Sequence, residues 1–204
     1  MITIIDYGCG NIRAFLNAFT RLNMLVKIAR NKDDIADATR IILPGVGAFD
    51  YVMRSFNESG LREMVERKIL DEKIPVLGIC AGMQILADSS EEGKERGLSW
   101  IPGRIRRFDS DKIPFKTKVP HMGWNEINPR SSSLFRNIGF GSRFYFVHSY
   151  YFEPASEIHS IAKSSYGIEF SAAVAKDHIY GAQFHPEKSH SNGLQLLRNF
   201  AEFC

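Results

Sequence analysis

Short apolar runs alternate with segments of helical periodicity over the first part of the chain. The runs Ile2–Ile5, 25–28, 41–43 and 74–79 have the length and β-branched content of buried strands. Between them, apolar residues recur with the spacing of one helix face, first as Ile12, Phe15, Leu16 and Phe19 and later as Leu61, Met64, Val65 and Ile69. Alternation of strands and helices predicts a parallel, doubly wound sheet.

The second part of the chain has a different pattern. Residues 88–120 are polar and irregular and contain turn signals, which favours short antiparallel strands. Runs at 144–151, 158–162, 170–175 and 179–184 predict further strands, and a closing amphipathic helix follows. The expected fold class is α/β, with a doubly wound, mainly parallel central sheet flanked by helices and a small antiparallel addition. The length of 204 residues suits a single domain, 1–204.

A glycine-flanked cysteine stands where the fourth apolar run changes to helical spacing. Gly78-Ile79-Cys80-Ala81-Gly82 has the Gly-x-Cys-x-Gly pattern of a nucleophile elbow, whose small flanking residues permit a sharp strand-to-helix turn. A helix that begins directly after the thiol favours the reactive thiolate. A buried structural cysteine between two packing glycines fits this pattern equally well. The pattern alone leaves both interpretations open.

Composition narrows the class of protein. The formal net charge is +3, from 26 basic and 23 acidic residues, and a modest basic cluster at 104–107 is more typical of a solvated face than of a nucleic-acid site. Cys9, Cys80 and Cys204 match neither a disulfide framework nor a zinc site, which favours the reducing cytoplasm. We find no apolar segment near the about 20 residues of a membrane span, and no signal-peptide pattern. We expect no nucleic acid, membrane, metal or other cofactor.

A thiolate nucleophile requires a base, and the base requires an orienting acceptor. His185 follows the apolar run 179–184, so a parallel strand would bring it to the same edge of the sheet as Cys80. Pro186 stops that strand, which lets the Glu187 carboxylate turn back toward the imidazole and fix its tautomer. Cys80, His185 and Glu187 are therefore the candidate catalytic triad.

These motifs resemble those of the class I (triad) glutamine amidotransferases. Residues 78–84 and Phe184-His185-Pro186-Glu187 occur in that family's order. Further segments extend the resemblance over essentially the whole chain, to the family of glutaminase subunits of imidazole glycerol phosphate synthases. These segments are Asp6-Tyr7-Gly8, Pro44-Gly45-Val46-Gly47-Ala48-Phe49, Pro120-His121-Met122-Gly123-Trp124-Asn125, Phe146-Val147-His148-Ser149-Tyr150 and His185-Pro186-Glu187-Lys188-Ser189.

The resemblance implies glutamine hydrolysis. Cys80 would attack the side-chain amide carbonyl, His185 would protonate the departing ammonia, and water would then release glutamate from the thioester. The oxyanion would be held by the N–H groups of Ala81 and, after a peptide rearrangement, of Val46. The residues implied to hold the amino-acid end of glutamine are Gln84, Glu92, Ser149 and Tyr150, with Gly47 leaving space. Gln84 has stronger support than Glu92, since Gln84 lies one helical turn past Cys80, whereas Glu92 lies in a polar run that is more often only a solvated turn.

The resemblance also implies a partner. In the family, ammonia passes to a cyclase with a (βα)8-barrel fold that is made as a separate chain, so we expect a heterodimer. Ammonia released into water would be protonated and lost, which makes docking a chemical requirement. The residues that match interface positions of the family are Asn11, Trp124, Tyr145 and Lys188. From the sequence, Trp124 fits a core tryptophan equally well.

Three alternative functions remain open from the sequence. Residues 97–102 are compatible with paralogues that feed ammonia to sugar-amidating synthases of surface polysaccharides. The elbow also fits a stand-alone cysteine hydrolase of the dienelactone type, although in that type the acid precedes the histidine. A non-catalytic binding subunit could keep the fold, but all three triad residues are present. Two departures from the family pattern, at Cys9 and Ala81, remove no chemistry.

Overall fold

The structure is a computed structural model that describes residues 1–116 and 118–204. Within these residues, twelve strands join one mixed sheet. The strands are β1 Ile2–Ile5, β2 Val26–Ala29, β3 Arg40–Gly45, β4 Val76–Cys80, β5 Ser89–Ser90, β6 Gly103–Arg107, β7 His121–Pro129, β8 Ser142–His148, β9 Tyr150–Pro154, β10 Ser160–Tyr166, β11 Ile168–Lys176 and β12 Ile179–Ala182. The helices are α1 Ile12–Arg21, α2 Phe49–Glu58, α3 Arg62–Glu66, α4 Ala81–Gln84 and α5 His190–Phe203. Across the described part of the chain, no helix is long and apolar enough to span a bilayer.

Neighbouring parallel strands form the centre of the sheet in the order β2-β1-β3-β4-β12. Alternate residues of β3 face opposite sides, because Ile41 and Leu43 belong to one apolar cluster and Ile42 to the other. Residues of α2, α3 and α4 complete the first cluster, and residues of α1 and α5 complete the second. Helices therefore cover both faces, and the predicted α/β class is confirmed.

An antiparallel extension continues the sheet beyond β12. The order is β12-β11-β10-β7-β8, with each neighbouring pair antiparallel. A side branch is formed by β9, which pairs with β6 and touches β11 where Phe152 faces Ser171. The extension brings the end of β8 and the start of β9 beside the carboxyl ends of β4 and β12, where a parallel sheet places its ligand site.

The aromatic run 144–151, predicted as one strand, is two strands. β8 ends at His148 and pairs with β7, whereas β9 begins at Tyr150 and pairs with β6. The break at Ser149 leaves no mark in the sequence, because both segments are rich in aromatic residues. It is set by the change of pairing partner, which is a tertiary effect. The predicted strand 158–162 likewise begins only at Ser160, after a 3-10 turn at Glu157–His159.

Candidate active site

The predicted elbow is present at the junction of β4 and α4. Cys80 ends the strand with φ 54° and ψ −115°, and the helix begins at Ala81. Small residues are required here, because a Cβ on Gly82 would stand 2.0 Å from the Leu43 carbonyl oxygen and one on Gly78 would stand 2.5 Å from the Gly82 oxygen. The strained φ of a non-glycine residue at the tip of a tight turn is typical of functional sites.

The thiol of Cys80 is largely buried but reachable. Cys80 is 8% exposed and lines a pocket of about 330 Å³. Its Sγ lies 3.9 Å from the Val147 carbonyl oxygen and accepts the Gln183 side-chain amide at 3.7 Å. Because the sulfur faces a pocket and polar partners, the structural-cysteine interpretation is the weaker of the two.

His185 and Glu187 lie together behind the thiol. His185 follows β12, and the turn Pro186–Lys188 brings Glu187 back so that its Oε1 lies 2.8 Å from His185 Nδ1. The two side chains are only 4% and 1% exposed. Burial acts to lower the pKa of His185, but the Cys80 sulfur and the Glu187 carboxylate outweigh it and raise that pKa to about 10. With Nδ1 bonded to the carboxylate, Nε2 is left for the thiol.

The pocket brings together the residues predicted for the oxyanion hole and for the substrate. Its lining consists of Val46, Gly47, Cys80, Ala81, Gln84, Glu92, Pro120, Val147, His148, Ser149, Tyr150, His185 and Lys188. Gly47 has φ +127°, a conformation that favours glycine. The residues on each side of the segment 45–48 are held by hydrogen bonds. The Tyr7 hydroxyl donates to the Pro44 carbonyl, and the Glu92 carboxylate accepts the Phe49 N–H at 2.8 Å.

Gln84 and Glu92 are both held by protein partners. Gln84 donates from Nε2 to the Tyr150 carbonyl at 3.3 Å and to Gln183 Oε1 at 3.0 Å. These bonds occupy its donors and leave its oxygen as an acceptor, which suits an ammonium group. Glu92 lies at the start of α2, where its charge also interacts favourably with the helix dipole. Its polar run is therefore part of the site and not only a solvated turn.

The residues predicted for a partner interface lie mainly in one surface cluster. Trp124 is 38% exposed, and its ring stacks on His190 with centroids 5.0 Å apart. Tyr145 meets the Trp124 ring edge-on at 6.2 Å, and Lys188 Nζ lies 5.7 Å from the centre of the Tyr145 ring. One cluster at the surface is therefore formed by Trp124, Tyr145, Lys188 and His190. Asn11 is exposed directly before α1. Trp124 is therefore a surface residue and not a core tryptophan.

Sequence reasoning missed three groups near the thiol. Gln183 is fully buried and bonds both Cys80 and Gln84. A polar residue two positions before His185 in an apolar strand was the available signal, because alternate residues share a face. Tyr7, His121 and His148 lie in segments that carry the resemblance, but their roles depend on contacts with segments distant in the sequence.

Comparison with known proteins agrees with this fold and site. A family model described as glutamine amidotransferase class-I matches residues 3–203. The chain therefore belongs to the class-I glutamine amidotransferase family.

Relatives within that family confirm the resemblance to the glutaminase subunits of imidazole glycerol phosphate synthases. The HisH subunit of imidazole glycerol phosphate synthase from Bdellovibrio bacteriovorus is 54% identical, over 99% of this chain and 100% of the relative. The HisH subunit from Leptospira borgpetersenii is 48% identical over 98% and 99%. A crystal structure of a glutamine amidotransferase shares the fold, with a TM-score of 0.74 at 20% identity over 98% of this chain and 97% of that chain.

Proposed function

We propose that this chain, as a single domain of residues 1–204 in the cytoplasm, is the glutaminase subunit of an imidazole glycerol phosphate synthase in histidine biosynthesis. It hydrolyses glutamine to glutamate and delivers the ammonia to a separate (βα)8-barrel cyclase, without a cofactor. The observation that carries the proposal is the elbow thiol of Cys80 in one pocket with His185, which Glu187 orients. The HisH relatives, which match along nearly the whole chain, favour this synthase over the sugar-amidating alternative.

The reaction proceeds in two stages at Cys80. The thiolate attacks the side-chain amide carbon of glutamine, and His185, protonated because its pKa is raised to about 10, gives its proton to the departing nitrogen. Ammonia leaves, and a γ-glutamyl thioester remains on Cys80. His185 then takes a proton from water, the water oxygen attacks the thioester, and glutamate departs. Glu187 keeps the imidazole in one tautomer through both stages.

The docked synthase can control the rate of glutamine hydrolysis through the donors that stabilise the oxyanion. Ala81 offers its N–H at the first position of α4, where the helix dipole also favours negative charge. The second donor is Val46, whose peptide rearranges between the fixed points at Pro44 and Phe49. Turnover by the isolated chain is then slow, and it rises when the docked synthase selects the competent arrangement.

The substrate is oriented by its amino-acid end. Gln84 and Glu92 accept hydrogen bonds from the ammonium group, while Ser149 and Tyr150 donate to the carboxylate, and Gly47 keeps the entrance free of a side chain. These groups lie around one pocket. A test of the proposed function is glutamate release with and without a barrel cyclase and its nucleotide acceptor. We expect clear stimulation; no stimulation by any barrel cyclase, with activity on ester substrates, would contradict the proposal.

Replacement of Glu187 by glutamine is expected to move the alkaline limb of the kcat/KM pH profile to lower pH. The Glu187 carboxylate is one of the groups that raise the pKa of His185 to about 10, so its loss lowers that pKa. A raised pKa also stabilises the fold fully below the unfolded value of about 6.5, and this contribution is lost as pH rises toward 10. The difference in melting temperature between the wild type and Glu187→Gln should therefore shrink from pH 6 to pH 10. A pH-independent difference together with an unshifted limb would contradict this account.

Replacement of Trp124 by alanine is expected to weaken cyclase binding by at least about tenfold, because exposed tryptophans at interface centres carry much of the binding energy. Trp124 is 38% exposed and its ring is held by His190 and Tyr145, so it is pre-organised for a partner. The control is Leu25→Ala, which removes an 81% exposed side chain beside β2, at the opposite edge of the sheet. Calorimetric titration measures both variants. Equal affinities for Trp124→Ala and the wild type would place the interface elsewhere.

A further inference from the structure

A chain of hydrogen bonds between side chains runs from the surface to the pocket and takes no part in the chemistry above. Asn125 Nδ2 lies 3.2 Å from His121 Nε2, and His121 Nδ1 lies 2.9 Å from His148 Nε2. His148 Nδ1 lies 2.7 Å from the carbonyl oxygen of Tyr150. The pairing of β7 with β8 places the two histidines directly opposite each other.

The direction of every bond in this chain is fixed from both ends. Asn125 accepts the Glu126 N–H on its oxygen and donates to the Ser165 carbonyl from Nδ2, each at 2.8 Å, so its amide orientation is settled. Nδ2 therefore donates to His121 Nε2, and His121 must carry its proton on Nδ1. At the other end a carbonyl oxygen can only accept, so His148 also donates from Nδ1. Both histidines are neutral, with the same tautomer.

The surroundings of the two rings favour this neutral state. His121 and His148 are 3% and 6% exposed, and their rings contact the aromatic side chains of Phe108, Phe146 and Phe170. Burial lowers the pKa of His121 to about 4, and burial together with the neighbouring His121 lowers the pKa of His148 to about 3. A proton on either ring would leave two donors facing each other.

Two carbonyl groups of the turn 147–150 accept hydrogen bonds from other parts of the chain. The Tyr150 oxygen accepts from His148 and from Gln84, and the Ser149 oxygen accepts the Phe108 N–H at 3.1 Å. A turn whose acceptors are engaged offers N–H and hydroxyl donors to whatever enters the pocket. Such a surface suits a carboxylate.

We infer that His148 and His121 are positioning residues, which hold the turn 147–150 so that its donors bind the carboxylate of glutamine. The inference rests on the proposed function and extends it. The histidines act through the Tyr150 carbonyl and belong neither to the triad nor to the oxyanion donors. Their loss should therefore raise KM and leave kcat nearly unchanged, since the reacting groups stay in place.

The test compares two amides at position 148 in the complex with the cyclase. His148→Asn places an amide N–H near the Nδ1 position and keeps a donor for the Tyr150 carbonyl, whereas His148→Gln places its amide near Nε2 and loses that donor. We expect KM for glutamine to rise about tenfold in His148→Gln and at most about threefold in His148→Asn, with kcat within about twofold in both. His121→Phe, which removes the donor to His148, should also raise KM.

The control is His159→Gln. His159 lies away from the pocket, and its Nδ1 is 3.0 Å from the Ala175 carbonyl oxygen. The KM of this variant for glutamine should equal that of the wild type. Equal KM values for His148→Asn and His148→Gln would overturn the inference, as would a fall in kcat with unchanged KM. A fall in melting temperature alone would show that the pair serves only packing. A wild-type complex without glutaminase activity would overturn the proposed function itself, so the two failures are distinguishable.

Discussion

Cys80→Ser is expected to abolish glutamine-dependent synthesis by the complex and to leave ammonia-dependent synthesis intact. A serine hydroxyl at this position stays protonated at neutral pH and is a much weaker nucleophile, so glutamine hydrolysis should fall at least about a thousandfold. The cyclase reaction with external ammonia does not use the thiol. The substitution changes one atom in a site that already faces a pocket, so the fold should be preserved.

Cys204→Ser is the matched control for this experiment. Cys204 is also a free cysteine, but its sulfur lies 3.3 Å from the Ser133 hydroxyl at the end of α5, remote from the pocket. Both activities should match the wild type. If Cys80→Ser reduced glutamine-dependent and ammonia-dependent synthesis equally, Cys80 would be a structural residue and the elbow interpretation would be wrong.

Among the proposed variants, Gly82→Ala is expected to have the largest effect on stability. A Cβ at this position would stand 2.0 Å from the Leu43 oxygen and 3.0 Å from the Pro44 carbonyl carbon, so α4 would have to move away from β3. Overpacking against backbone costs about 3 kcal/mol or more, which corresponds to a melting temperature about 10 °C lower for a chain of this size. The displaced helix would turn the Ala81 N–H out of the position of an oxyanion donor, so glutaminase activity should be lost as well.

Gly139→Ala tests whether this effect is specific to the close approach. A Cβ at Gly139 would meet no atom within 4 Å, and Gly139 is not among the glycines with positive φ. Its melting temperature and activity should therefore match the wild type. Thermal melts and glutamate release measure both variants. Wild-type stability in Gly82→Ala would mean that the contact between β3 and α4 can relax without cost.

The parts of the site that the sequence predicts are those set by local chemistry. Gly78 and Gly82 around Cys80 define the elbow, because the turn itself demands small residues. Pro186 between His185 and Glu187 predicts the return of the carboxylate, because proline ends the strand. Strand and helix periodicity likewise predict the parallel centre of the sheet, where burial on both faces leaves a continuous apolar run.

The remaining features depend on contacts between segments distant in sequence. Glu92 is in a polar run, and only the packing of that run against α2 brings its carboxylate to the Phe49 N–H and into the pocket lining. The break at Ser149 follows from strand pairing. The bond between His121 and His148 needs the register of β7 against β8, which a single sequence does not specify.

We propose that ammonia made at Cys80 passes directly to a docked cyclase. Glutamine labelled with ¹⁵N in its side-chain amide, supplied to the complex with the nucleotide acceptor and a large excess of unlabelled ammonium, tests this claim most directly. We predict that the imidazole product carries the label, and that Cys80→Ser prevents the labelling while unlabelled product still forms. A product that carries only unlabelled nitrogen with the wild-type complex would contradict the account.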